Sequence, residues 1–147
     1  PVGGGGLISG IALGLRRNAK ETEMLGAEPL IANDASQSLQ AGHVVANPVE
    51  PITVADGART ISLGSLNWEI IRESVSGIIE VTEDKILQAV KLYFHLVNLK
   101  CEPTGALSLG AVLMNPKEFE DKKVCLIVSG GNVDPANYAS IIQDPSS

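Results

Sequence analysis

Long apolar runs are missing from these 147 residues. None has the length a helix needs to cross a bilayer, and the first residues carry no charged stretch ahead of an apolar one, so neither a membrane span nor a secretory signal is expected. Clustered positive charge is missing too. The 11 Lys and Arg are set against 17 Asp and Glu, a net charge of −6, and the closest basic groupings are the pairs Arg16-Arg17 and Lys122-Lys123. Nucleic acid and anionic membrane, which call for a basic patch, are therefore not expected as partners. Cysteine is scarce. Cys101 and Cys125 do not have the CxxC spacing of a metal or redox site and sit among apolar residues, which predicts buried free thiols in a reducing, cytoplasmic compartment. Histidine is scarce as well: His43 falls in a loop and His95 on the polar side of a helix, and no nucleophile–His–acid constellation exists. Repeats and low-complexity tracts are also absent.

What remains is a chain of about one domain's length, 44% hydrophobic and 19% charged, the composition of an ordinary globular protein with a real core. Its opening at Pro1, without Met, reads as the middle of a strand-to-loop passage and predicts a piece of a longer polypeptide. Residues 7–19 place Ile8, Ile11 and Leu15 on one helical stripe. EMLGAEPL (23–30), stopped by Pro29, reads as a buried strand. Residues 34–41 read as a helix capped by Asn33 or Asp34 and ended near Gly42, followed by an extended loop over 43–55. Trp68 to Val75 reads as a short helix, with Trp68 packing it onto the core, and Gly77 to Val81 as a strand. Thr82 caps a helix whose apolar stripe is Ile86, Val90, Tyr93 and Val97, with Lys85, Gln88, Lys91 and His95 opposite. Residues 104–114 form an apolar helix, and KVCLIV (123–128) reads as a strand covered on both faces. Pro135 opens a last helix, and Pro145 ends the order near the C-terminus.

Strands alternating with helices predict an α/β layer with a mostly parallel sheet. In such folds ligands sit at the carboxyl ends of strands, where GGGG (3–6), Glu28-Pro29 and SGGN (129–132) all fall. A glycine run leading into a helix offers unpaired N–H groups beside the positive end of the helix dipole, an anion site that side chains would obstruct. No Lys or Arg lies in that loop or beside it before Arg16, so amides and the dipole must hold the charge alone. The loop does not fit G-x-x-x-x-G-K-[ST], and G-x-G-x-x-G is broken where Ser9 follows Gly4 and Gly6. Glu28 nonetheless stands at about the spacing of a ribose-binding acid, which keeps a nicotinamide dinucleotide module open. A glycine turn that serves packing alone, in a non-catalytic structural or regulatory piece, is the other alternative.

PVGGGGL, GAEP with NDA after it, TVADGART, VTEDKILQAV, EPTGALS and IVSGGNVD occur in the order seen in fold-type II pyridoxal phosphate enzymes. Over about Pro1 to Asp134 the chain resembles the serine racemase and serine/threonine dehydratase group. The resemblance implies the tryptophan synthase β-like large domain. It implies dehydration of L-serine or L-threonine to a 2-oxo acid and ammonia, or racemisation of serine, by a homodimer. By the same resemblance Gly3, Gly4, Gly5, Gly6 and the Leu7 amide cradle the cofactor phosphate, and Ser129 sets its hydroxyl against the pyridine nitrogen. Gly57 and Glu102 line the pocket. Glu28, Ala32 and Asp34 match positions that bind a divalent cation, Mg²⁺ or Ca²⁺, through oxygen ligands. Asn132 matches a residue that contacts ATP in the animal racemases, but Asn98 replaces a lysine of that nucleotide site, which counts against ATP regulation. The family's Schiff-base lysine lies in an S-x-x-x-K-x-R-G-A type of motif that this sequence does not contain. Lys20, Lys85, Lys91, Lys100, Lys117, Lys122 and Lys123 all read as surface or helix-end lysines. Residues 1–147 are thus expected to be the carboxyl-terminal part of the catalytic domain, without its covalent anchor.

Overall fold

A computed structural model describes residues 1–143. Two strands, β1 (Leu25–Pro29) and β2 (Gly77–Val81), pair in parallel, with Leu25 opposite Gly77 and Pro29 opposite Val81. Parallel neighbours need a crossover. Here it is made by α2 (Asp34–Ala41), the loop after it and α3 (Ser65–Ser74). The helix α1 (Gly6–Asn18) precedes β1, and α4 (Glu83–Val97), α5 (Pro103–Met114) and α6 (Pro135–Gln143) follow β2.

The pleat sends successive side chains to opposite faces, and the core divides accordingly. Ile78 joins Val2, Ile8, Ala35, Leu63, Trp68, Ile71 and Val75, the core built with α1, α2 and α3. Ile79 joins Ala27, Val81, Ile86, Leu107 and Ala111 on the α4 and α5 side. A third cluster, with Val90, Tyr93, Cys101, Ala106 and Tyr138, fastens α4, α5 and α6 to one another. The expected α/β layering therefore stands, and Trp68 is a core residue as expected.

Gly26 is where the first core is tightest. A Cβ there would lie 2.8 Å from Val2 Cγ2, 2.9 Å from Ile78 Cγ1 and 3.2 Å from Ile8 Cδ1. Gly26→Ala should destabilise the protein by about 1–3 kcal/mol through overpacking. Its urea midpoint should fall accordingly, whereas a midpoint equal to wild type would contradict this packing.

Several expectations need correction. KVCLIV is not a strand: residues 123–128 make no backbone–backbone hydrogen bond with any described residue, and they are held by the Ser108 hydroxyl donating to the Ile127 carbonyl at 3.0 Å and by Val128 packing against the α4, α5 and α6 cluster. A strand exists only where a neighbour supplies the ladder, and this segment has none among the described residues. Instead a groove of about 560 Å³ separates it from β1, with Ile8, Ile11 and Leu15 of α1 and Ser108, Ala111 and Val112 of α5 along its walls. For the same reason Cys125 is exposed rather than buried, while Cys101 is buried and its thiol is pushed up to about 11, chiefly by that burial. On α4, Val97 leaves the apolar stripe and is 61% exposed, because nothing described covers the last turn. Lys91 is buried, since α4 is packed by both α5 and α6. Thr82 occupies the N-cap position of α4, yet its hydroxyl turns to Met114 Sδ at 3.6 Å. Pro145 lies outside the described residues.

Candidate cofactor site

The tetraglycine loop passes directly into α1. Gly5 is the N-cap, in the left-handed region at φ 90°, where a side chain is strained; a Cβ there would also meet Asn67 Cβ and Ile71 Cδ1, each at 2.9 Å. A Cβ at Gly3 would lie 2.7 Å from the Gly57 carbonyl. Packing thus demands glycine at positions 3 and 5. It does not demand it at 4 and 6: among the described residues a Cβ at Gly4 meets nothing closer than Thr60 Cγ2 at 3.8 Å, and one at Gly6 meets nothing within 4 Å.

The amides explain the remaining pair. The Gly4 carbonyl accepts Asn67 Nδ2 at 2.7 Å and the Gly64 N–H at 3.1 Å. In a planar trans peptide the next N–H points the opposite way, so the Gly5 amide faces away from α3. The Gly5 carbonyl accepts the Ser9 N–H at 3.1 Å, which turns the Gly6 amide out of the helix end. From Gly3 to Ile8 no backbone N–H finds an acceptor among the described residues, and the first turn of α1 holds no acidic side chain. Six consecutive donors at the positive end of a helix form an anion cradle, open where Gly4 and Gly6 leave room.

The other predicted loops join this one through close backbone approaches. Gly57 lies in a 3₁₀ turn, Asp56–Ala58, beside Gly3; its N–H donates to Thr104 Oγ1 at 3.0 Å and to Asp56 Oδ1 at 2.8 Å. Thr104 sits in the first turn of α5, and Glu102 is the N-cap of that helix. The Glu102 N–H donates to the Gly130 carbonyl at 3.0 Å, and a Cβ on Gly130 would collide with the Glu102 carboxylate. Gly105 repeats the close approach, with Gly130 O 2.6 Å from its would-be Cβ. So Gly3, Gly57, Glu102 and the turn carrying Ser129 form one contiguous rim, with Ser129 exposed and its hydroxyl unbonded among the described residues. Asn132 is exposed just beyond it, where Val133 N–H returns to the Gly131 carbonyl.

The Glu28–Asp34 pair forms a second cluster. Glu28 is 1% exposed, and its carboxylate accepts the Ala35 and Ser36 amides at 3.2 and 2.7 Å. Glu28, not Asn33 or Asp34, therefore caps α2. Asp34 is also buried; its Oδ1 accepts Asn47 Nδ2 at 2.9 Å, while Oδ2 is buried without a partner. Burial pushes Glu28 up to about 8 against the pull of the Ser36 amide, with the Asp34 charge adding to the rise. Burial likewise raises Asp34 to about 6. Ala32 is buried one turn ahead of α2. No group of three or more His, Cys, Asp and Glu is gathered among the described residues, so any cation here must also draw on carbonyl or water oxygen. Asn47 links the clusters, since its Nδ2 also reaches the Thr60 carbonyl at 3.4 Å.

Sequence reading missed Asn67, Thr104 and Glu83. Glu83 holds the TVADGART loop by accepting Thr53 Oγ1 and the Val54 N–H, both at 2.7 Å. Asn67 and Thr104 lie 63 and 47 positions from the groups they bond, and Glu83 lies 30 and 29 from its own, separations no local pattern encodes.

A glycine loop with unbonded amides at a helix N-terminus, rimmed by a second glycine turn, gives this α/β protein a candidate anion site. The family model described as "Pyridoxal-phosphate dependent enzyme" matches residues 1–130, and the chain belongs to that family. Among its relatives is a serine racemase from Schizosaccharomyces pombe, 39% identical over 141 residues, which covers 96% of this chain and 43% of the relative. A beta-hydroxyaspartate dehydratase from Paracoccus denitrificans is 42% identical over 134 residues, 91% of this chain and 42% of the relative. The solved structure of maize serine racemase superposes with a TM-score of 0.88 at 37% identity, covering 95% of this chain and 44% of that one. The chain thus spans less than half the length of these relatives. The family match favours pyridoxal phosphate over a nicotinamide dinucleotide.

Proposed function

We propose that this chain is part of an enzyme that dehydrates L-serine or L-threonine to a 2-oxo acid and ammonia, racemises serine, or does both. The observation that carries the reading is the run of unbonded amides from Gly3 to Ile8, a cradle for a phosphate ester with no cationic side chain in the loop. Pyridoxal phosphate held there would supply an electron sink for carbanion formation at the amino-acid α-carbon. The chain's own part is to bind and orient. Gly3 to Gly6 and Leu7 would hold the phosphate, while Gly57 and Glu102 would line the pocket near the ring. The Ser129 hydroxyl would meet the pyridine nitrogen as a neutral partner that would not keep that nitrogen protonated, which would moderate the electron sink in a way suited to β-elimination.

Glu28, Asp34 and the Ala32 carbonyl would hold Mg²⁺ or Ca²⁺. The fit rests on the unpartnered Asp34 Oδ2 and on two adjacent buried carboxyls, both raised by desolvation that a cation would offset. The Schiff-base lysine and the base on the other ring face belong to polypeptide outside these residues. The groove between β1 and residues 123–128 supports that division: it is walled by helices above and below and edged by an unpaired segment, the shape of a place for one more strand.

The test is release of 2-oxo acid from L-serine and L-threonine by the intact enzyme, with and without added pyridoxal phosphate, alongside formation of D-serine. Cofactor-dependent turnover of either kind is the expected outcome, and residues 1–147 alone should show none. Turnover that ignores the cofactor would overturn the reading, and dehydratase activity in the isolated chain would overturn the division.

A further inference from the structure

We infer that Asn67 is a positioning residue for the cofactor phosphate: it aims the loop amides at the ester by holding the Gly4 carbonyl back. The inference rests on the phosphate-cradle reading above and assigns it a residue that never touches the ligand. The Asn67 amide donates to Gly4 O at 2.7 Å from a half-buried position on α3, and the Gly64 N–H shares the same acceptor at 3.1 Å. Asn67 is tied a second time, its backbone carbonyl accepting the Ser9 hydroxyl at 3.3 Å from the first turns of α1. The two bonds grip the loop on both sides of the Gly5 corner.

The physical consequence follows from peptide planarity. With the Gly4 carbonyl drawn toward α3, the Gly5 N–H points outward. Without that pull, glycine on both sides lets the peptide rotate and turn its carbonyl oxygen toward a dianion. In a cradle with no Lys or Arg, one inverted peptide exchanges a donor for a repelling acceptor, so orientation replaces charge as the source of affinity. A neutral amide side chain suits this role, because it adds no charge that would compete with the ester.

The experiment compares pyridoxal phosphate with pyridoxal, which has the same ring and aldehyde but no ester, in the intact enzyme and in Asn67→Leu. Asn67→Ser, too short to reach the carbonyl, serves where the leucine variant fails to fold. The preference of wild type for the phosphate ester should fall about tenfold or more, the loss of at least one charge-assisted hydrogen bond. Pyridoxal affinity should hold, and the ³¹P resonance of the bound ester should move. An undiminished preference in a folded variant overturns the inference. Equal weakening for both ligands also overturns it, because that marks a merely structural residue. Wild type without any preference for the ester overturns the cradle itself, and Asn67's role with it.

Discussion

Gly6→Val in the intact enzyme should weaken retention of pyridoxal phosphate by about a hundredfold or more, the equivalent of two charge-assisted hydrogen bonds. Its thermal midpoint should stay within about 2 °C of wild type. The two effects should separate because nothing among the described residues lies within 4 Å of a Cβ at position 6, so the side chain would intrude on the proposed ligand space without disturbing the packing. Gly5→Val makes the contrast. There φ is 90°, and the new Cβ would press on Asn67, Ile71 and Leu63 at 2.9, 2.9 and 3.1 Å, so cofactor retention and stability should both fall. Equilibrium dialysis and a melt on each variant read the two quantities. Normal retention by a well-folded Gly6→Val would remove the anion from the start of α1.

Divalent cations should raise the thermal midpoint of the intact enzyme, and more at pH 8.5 than at pH 6. The native state keeps protons on Glu28 up to about pH 8 and on Asp34 up to about pH 6, whereas the unfolded chain loses them near ordinary carboxyl values. Native carboxyls raised in this way favour folding at acid pH. That contribution declines as pH rises past the unfolded values and is gone above about 8. A cation bound to the ionised pair would compete with those protons and restore stability where they leave; at a hundred times its dissociation constant it would contribute about 2.7 kcal/mol. Asp34→Asn removes an anionic ligand and should abolish both the rise and its pH dependence. Stabilisation that is flat with pH, or unchanged in Asp34→Asn, would place the cation elsewhere.

What could be read in advance follows from how far apart the interacting residues lie. The glycine loop, α1 and α4 are local patterns, and they stand nearly where periodicity and capping put them. The pull of Asn67 on Gly4 spans 63 positions and leaves no local trace. Glu28 illustrates a subtler failure. Its position at the end of β1 was legible, but local capping rules assign the start of α2 to Asn33 or Asp34. The fold instead folds Glu28 under that helix to take two of its amides, which leaves Asp34 Oδ2 with no partner. KVCLIV failed for the opposite reason. Its composition states the environment a strand would want, a covered site between neighbours, and only half of that environment is present among the described residues.

Phosphorus-31 spectra of pyridoxal phosphate bound to the intact enzyme, taken across pH 5 to 9, test the cradle most directly. Six oriented amides at a helix N-terminus should hold the ester as a dianion, so its resonance should stay fixed well below the ordinary second phosphate pKa of about 6. A resonance that titrates as the free ester does would mean the amides do not grip it.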